Sequence, residues 1–310
     1  MVAEILTTDI KMIKTANAPC SWGVLEFDLQ GEAATYEKVL NEIAETGYTG
    51  TELGDWDFMP TDPKELKDEL TKRKLEMVGA FVPVDFSNKE AHNKGLQTAL
   101  KTAQLLAGVQ GNSPFIILAD ENGKNKERTS NAGRIKNGMG LTDSQCNIFA
   151  EGVNLTAKKV KEEFGLRTVF HHHCAGYVET PEEIKTLLSK TDSNLVGLCL
   201  DTGHYMFGGG DPVEAYKNYK DRIWHVHFKD FSKEVADKSA QNNWDYFKSV
   251  GEGVFCELGK GAVDFSKMYN ELVDNNYKGW IVVEQDVLPG MGVPKECAQR
   301  NRDYLKTLGI

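Results

Sequence analysis

Short apolar, β-branched runs alternate along the chain with longer segments in which apolar residues recur every three or four positions. Eight runs of the first kind read as strands: Met12–Ala16, Gly50–Leu53, Met77–Val82, Phe115–Ala119, Thr168–His173, Leu195–Leu200, Ile223–Phe228 and Trp280–Glu284. Eight amphipathic segments follow them in alternation: Ala33–Glu45, Pro63–Arg73, Lys94–Leu106, Asn147–Glu163, Pro181–Leu188, Val213–Tyr219, Phe265–Asp274 and Lys295–Thr307. Thr180-Pro181-Glu182-Glu183 supplies an N-cap, a proline at N1 and acids in the first turn, and Asp62-Pro63 reads the same way. Repeated βα units predict parallel strands with helices packed outside them. Eight of each favour a closed (β/α)8 TIM barrel over an open doubly wound sheet, with residues 1–310 as one domain. The polar stretch Asp120–Gly140 is expected to be a long loop over the barrel mouth.

Composition narrows the partners. Apolar residues at 40% suit a large core, and 46 acidic against 36 basic side chains leave a net charge of -10, which disfavours nucleic acid as a partner. No stretch approaches the roughly 20 apolar residues of a membrane span, and Met1–Lys14 lacks a signal peptide's basic start and apolar run. A cytoplasmic protein that binds neither membrane nor nucleic acid is expected, with a homo-oligomer left open. The six cysteines are scattered singly, as reduced thiols would be, and Cys174 beside three histidines reads first as a packed thiol.

Histidine changes the picture. Six of the seven lie between positions 171 and 227, at the ends of predicted strands. His171 and His173 share a face of the fifth run, His225, His227 and Lys229 share one of the seventh, and Asp201 and Glu284 stand at the ends of the sixth and eighth. Active sites of such barrels form at the carboxyl ends of the strands, so His171, Asp201, His227 and Glu284 are candidate ligands around one axial point. Imidazole with carboxylate suits Mn²⁺, Co²⁺, Fe²⁺ or Zn²⁺ better than Mg²⁺ or Ca²⁺. His172 faces the helices and His92 is isolated, so both read as packing residues. His204 follows Asp201 by three positions and can reach a ligand at the metal. Glu52 and Asp120 at strand ends are candidates for substrate hydroxyls, His225 for the same pocket, and Trp22 and Trp56 for its apolar walls. No G-x-S-x-G, Walker or early G-x-G-x-x-G motif is present.

Three segments carry a resemblance: Leu198-Cys199-Leu200-Asp201-Thr202-Gly203-His204, Trp224-His225-Val226-His227-Phe228-Lys229-Asp230 and Val282-Val283-Glu284-Gln285-Asp286. They resemble the xylose-isomerase-like barrels. Asn17-Ala18-Pro19-Cys20-Ser21-Trp22-Gly23, Glu52-Leu53-Gly54, and His171-His172-His173 through Tyr177-Val178-Glu179-Thr180 narrow the resemblance to the inosose dehydratase family. In the wider group a divalent ion is typically held by Glu, Asp, His and Glu, which carries over to Asp201, His227 and Glu284. The first Glu is missing here, so His171 takes its place, Glu179 reaches in, or three protein ligands suffice.

The resemblance implies a small cyclitol ketone substrate and a Mn²⁺ or Co²⁺ cofactor, with Zn²⁺ or Fe²⁺ as alternatives. Dehydration would remove a proton α to the ketone and expel a β-hydroxyl, the metal acting as a Lewis acid toward the enediolate. His173 or His204 would be the base, and the other histidine or Lys229 the acid. The rival reading is a ketose epimerase or isomerase with the same metal chemistry. A DNA-repair endonuclease would need a basic groove, and a polyol-binding barrel no base.

Overall fold

The computed structural model of the chain describes residues 13–24, 34–109 and 113–310. Met12 of the first predicted run, Ala33 of the first predicted helix and most of the amino-terminal stretch lie outside them.

Among the described residues ten strands follow in chain order: Ile13–Asn17 (β1), Gly50–Glu52 (β2), Glu76–Val84 (β3), Phe115–Asp120 (β4), Thr168–His171 (β5), Val196–Asp201 (β6), Ile223–Phe228 (β7), Asp230–Phe231 (β8), Phe255–Cys256 (β9) and Gly279–Val283 (β10). Eight of them close into a parallel barrel in the order β1-β10-β7-β6-β5-β4-β3-β2, while β8 and β9 form a separate antiparallel ribbon. The closed barrel expected from the alternation is therefore the one formed. Strands such as β4 and β6 are buried at every position, which is why they read as continuous apolar runs rather than alternating ones.

The helices are Tyr36–Glu45 (α1), Pro63–Arg73 (α2), His92–Val109 (α3), Lys126–Ser130 (α4), Asp143–Phe164 (α5), Pro181–Lys190 (α6), Thr202–Phe207 (α7), Pro212–Tyr219 (α8), Lys233–Asn242 (α9), Tyr246–Gly251 (α10), Phe265–Asp274 (α11) and Pro294–Thr307 (α12). The caps are where the sequence puts them. Asp62 accepts from the Lys64 and Glu65 amides at 3.0 and 2.9 Å, and Thr180 and Glu183 form a reciprocal capping box on α6. The longer helices between the barrel strands turn an apolar stripe inward; Val39, Leu40 and Ile43 of α1 are fully buried, worth roughly 1.5–3 kcal/mol per side chain. No helix among the described residues is long and apolar enough to cross a membrane.

Two expectations shift. The fifth strand ends at His171 rather than His173, because the chain turns out through Ala175 and Val178, both left-handed at φ 72° and 65°. The polar stretch after β4 carries α4, and α7, α9 and α10 are further helices in what read as loop. His92 packs as a core residue, Nε2 2.9 Å from the Phe86 carbonyl and its ring against Gly152, where a Cβ would come within 2.7 Å.

Inside the barrel, Phe115, Ile117, Val169 and Cys199 form a small apolar plug. His171 and Asp201 stand one pleat above Val169 and Cys199 on the same face, so the plug supports the polar layer at the carboxyl ends of the strands.

Candidate active site

The strand register sets the site. Across the parallel ladder His171 pairs with Cys199 and Asp201 with His227, and Val282, two residues before Glu284, also pairs with His227. One ligand atom each from His171, Asp201, His227 and Glu284 therefore falls within 4.8 Å of all the others. Individual separations are 3.7 Å for His171 Nε2 to Asp201 Oδ2, 3.9 Å for His227 Nδ1 to Asp201 Oδ2 and 3.1 Å for His227 Nδ1 to Glu284 Oε1. His171 thus stands in the set that the resemblance left open. Glu179 does not: its two oxygens accept the Gly133 and Ala175 amides at 2.7 and 3.0 Å, on the far side of the loop.

A ring of hydrogen bonds orients these groups. Glu52 Oε1 accepts from Nε2 of both His225 and His227, at 2.8 and 2.9 Å. An ionised carboxylate only accepts, so both imidazoles carry a proton on Nε2, and Nδ1 is the nitrogen of His227 that faces the other candidate ligands. Asp201 divides its oxygens. Oδ1 caps α7 by accepting the His204 amide at 2.7 Å, whereas Oδ2 is buried without a hydrogen-bond partner, as is Nδ1 of His171 and of His227.

The electrostatics call for a cation. Burial alone would raise the pKa of Glu52, but the charge of His227 and hydrogen bonds from His225 and His227 pull it down to about 2. Asp201 and Glu284 are likewise held below the usual carboxylate range against their burial, by His171 and Lys229 for the first and by His227 and Lys229 for the second. Burial works against charge on His227, yet Cys199, Glu284 and Glu52 around it raise its pKa well above normal. Glu284 and Glu52 thus draw a second proton onto Nδ1 of His227, the position a cation would take instead. Unpartnered buried donor atoms in a mixed nitrogen and oxygen set, under excess negative charge, are what a divalent transition ion satisfies.

Above this layer lies a cavity of about 90 Å³ lined by Glu52, Asp55, Phe81, Asn122, His171, His173, Lys229, Tyr246, Glu284 and Asp286, together with the Ala18–Cys20 turn. His173 Nδ1 lies 2.8 Å from the Cys174 carbonyl, which only accepts, and 3.3 Å from the Asn122 amide nitrogen; the shorter contact favours the proton on Nδ1, with the basic lone pair on Nε2. Burial, then the neighbouring His171, lowers its pKa to about 3, which leaves the ring neutral. Lys229 Nζ is 3.1 Å from both oxygens of Asp286 and 3.3 Å from Glu284 Oε2. Those acids overcome its burial and raise its pKa well above the ordinary lysine value, so the ammonium is permanent.

Four of the expected site residues lie elsewhere. Trp22 does not wall the cavity; the tight turn Pro19–Trp22 buries its indole in the core, where Nε1 donates to Glu42 at 2.6 Å. Trp56 is covered by Lys101, 4.0 Å from the ring. Asp120 is taken by the Tyr177 amide at 2.8 Å, away from the cavity. His225 sits at the floor against Phe115, with ring centroids 5.2 Å apart, and serves Glu52 rather than the cavity. His204 lies behind His173 with ring centroids 4.0 Å apart and the rings tilted by 39°, its ring nitrogens without hydrogen-bond partners, and burial holds its pKa well below normal. Asp286, Asn122 and Tyr246 are cavity residues that sequence reasoning passed over. Asp286 had a legible signal, since it lies two positions after Glu284 and so continues the same face.

A family model described as the xylose isomerase-like TIM barrel matches residues 40–308. The inosose dehydratase of Geobacillus kaustophilus (strain HTA426) is 33% identical over 303 residues, covering 96% of this chain and 97% of that protein. The inosose dehydratase of Clostridium botulinum (strain Alaska E43 / Type E3) is 31% identical over 294 residues, 95% of this chain and 96% of that one. Among solved structures, the IolI protein with a binding zinc atom matches with a TM-score of 0.70 at 14% identity, over 96% of this chain and 98% of that one. The probable 3-DHS dehydratase AsbF from Bacillus anthracis matches with a TM-score of 0.69 at 16% identity, over 95% and 99%. At those identities the two structures speak to the fold alone.

Proposed function

The chain belongs to the xylose isomerase-like TIM-barrel family and, within it, to the inosose dehydratases, which makes it a hydro-lyase; from that premise we propose that it removes one water from 2-keto-myo-inositol with the help of a divalent metal. The observation that carries the reading is the convergence of His171, Asp201, His227 and Glu284 within 4.8 Å, beside a cavity that also holds a neutral imidazole and a buried ammonium. Mn²⁺ and Co²⁺ suit the donor set, with Zn²⁺ and Fe²⁺ as the other candidates. An ion held by these four residues would polarise the substrate's ketone and make the adjacent C–H acidic.

The chain's own residues do the rest. Glu52 fixes the His227 ring, and Asp286 with Glu284 fixes the Lys229 ammonium. His173, whose Nε2 lone pair is free, takes the α proton. Lys229 donates a hydrogen bond to the departing β-hydroxyl. The C–H and C–O bonds break, a C=C bond forms between the two carbons, and the proton taken by His173 passes to the departing hydroxyl, which leaves as water. Of the two histidines open at the sequence level, His173 is the one that lines the cavity; His204 backs it. The free thiols of all six cysteines accord with a reducing cytoplasm.

The test compares metal-depleted protein with protein reconstituted with Mn²⁺ or Co²⁺, each incubated with 2-keto-myo-inositol, and reads product mass. Metal-dependent loss of one water is expected. Unchanged mass, with or without exchange between isomers, would overturn dehydration on this substrate in favour of an epimerase.

A further inference from the structure

We infer that Arg128 is a positioning residue for His173, acting through the backbone of the β5–α6 loop. Arg128 sits on α4 and is fully buried. Its guanidinium is committed on three sides. Nε donates to the Gly176 carbonyl at 2.7 Å, Nη1 and Nη2 form a two-pronged contact with Glu183 at 2.8 and 2.9 Å, and Nη1 also reaches the Met139 carbonyl at 3.4 Å. Glu183 in turn accepts the Glu179 and Thr180 amides, both at 3.0 Å, so one ion pair joins α4 to the start of α6 and to the loop between.

That loop needs holding. Ala175 and Val178 both have left-handed backbones, which a side chain bearing a Cβ adopts only when its surroundings impose it, a branched one least of all. Gly176, between them, is gripped by Arg128 through its carbonyl and approaches Asp120 so closely that a Cβ would lie 3.0 Å from Oδ2. Two residues upstream is Cys174, whose carbonyl fixes the proton of His173 on Nδ1. The guanidinium contact at Gly176 thus anchors the turn whose other end sets the tautomer and direction of His173. A lysine at 128 keeps the charge but cannot span Gly176 and both oxygens of Glu183 at once.

This inference rests on the reading of His173 as the base, and three measurements separate the two. For R128K, kcat is expected to fall on the order of 10²-fold with KM changed less than about threefold, as for a displaced catalytic group, while bound metal per chain stays at the wild-type ratio. In zinc-loaded protein labelled with ¹⁵N-histidine, with the His173 signals assigned by their loss in H173Q, the wild type is expected to show the Nδ1–H tautomer and R128K a mixture. E183Q, which keeps the arginine but removes the charge it grips, is expected to show the same kcat loss and the same mixed tautomer, and stands in if R128K fails to fold. Retention of wild-type kcat and of a pure Nδ1–H signal in the folded variant overturns the positioning role. Wild-type turnover by H173Q overturns instead the reading on which it rests, whatever Arg128 does.

Discussion

Replacing Glu52 by Gln separates holding the metal ligand from holding the substrate. The carboxylate accepts from His225 and His227 at 2.8 and 2.9 Å on the same oxygen. A glutamine carbonyl can accept both bonds in the same place, so the variant removes the charge and little else. Outer-layer carboxylates of this kind are worth about 10- to 100-fold in metal affinity, which is roughly 1.4–2.7 kcal/mol at 1.36 kcal/mol per factor of ten. Folding stability is expected to change less, because two charge-assisted hydrogen bonds weaken while a buried charge no longer has to be desolvated. Calorimetric titration of chelator-treated E52Q with Mn²⁺ or Co²⁺ is expected to give a Kd raised by that factor, with kcat largely restored at saturating metal. An unchanged metal Kd accompanied by a raised KM would refute the argument and return Glu52 to the substrate-binding role its place at a strand end first suggested.

Other expectations can be checked together. H173Q should lose turnover by about 10²- to 10⁴-fold, the usual contribution of a positioned base, with metal content unchanged; loss of the ion instead would make His173 a ligand. Burial raises the pKa of Asp120 from its ordinary 3.8 to about 7. An acid whose folded pKa is raised contributes stability that is fully present below pH 4 and lost as pH rises toward 7. At 1.36 kcal/mol per pKa unit this is worth up to about 4 kcal/mol. D120N, whose amide oxygen can still accept the Tyr177 amide, should therefore flatten the decline between pH 4 and 7 in urea titrations, and an unchanged slope would contradict the assignment. Lys74, exposed and left-handed at φ 56° where α2 ends, is a position that suits glycine. K74G should raise stability by about 1 kcal/mol in thermal or urea unfolding, and a loss would mean that the side chain has an unrecognised role.

Strand and helix positions were legible because the barrel buries its strands on both faces and its helices on one, so each element carries an apolar signature in its own residues. The helices that escaped notice are too short to show the period or bury almost nothing, α7 and α10 being six residues each. α9 buries only Ser239, and α4 is five residues long. Ligand candidates were legible for a related reason, since alternation along β5, β6 and β7 alone puts His171, Asp201 and His227 on the inner face. What failed were assignments that depended on which distant atom claims a group first. Trp22 is drawn to Glu42, Asp120 to the Tyr177 amide and Glu179 to Gly133 and Ala175. Nothing near those residues in sequence announces the partner, and Arg128 was invisible because Glu183, which keeps its charge buried, lies 55 positions further on.

The ties between α4 and the β5–α6 loop bear on how this barrel could be rebuilt. Loops at the carboxyl ends of barrel strands are commonly exchanged one at a time, the frame tolerating each as an independent insert. Here the segments after β4 and β5 share a buried ion pair, a carbonyl grip at Gly176 and the Asp120 contact to Tyr177. Residues 120–183 would therefore have to be exchanged together. A graft of either loop without the other would carry half of a buried charge pair into its new host, and His173 would arrive without the scaffold that aims it.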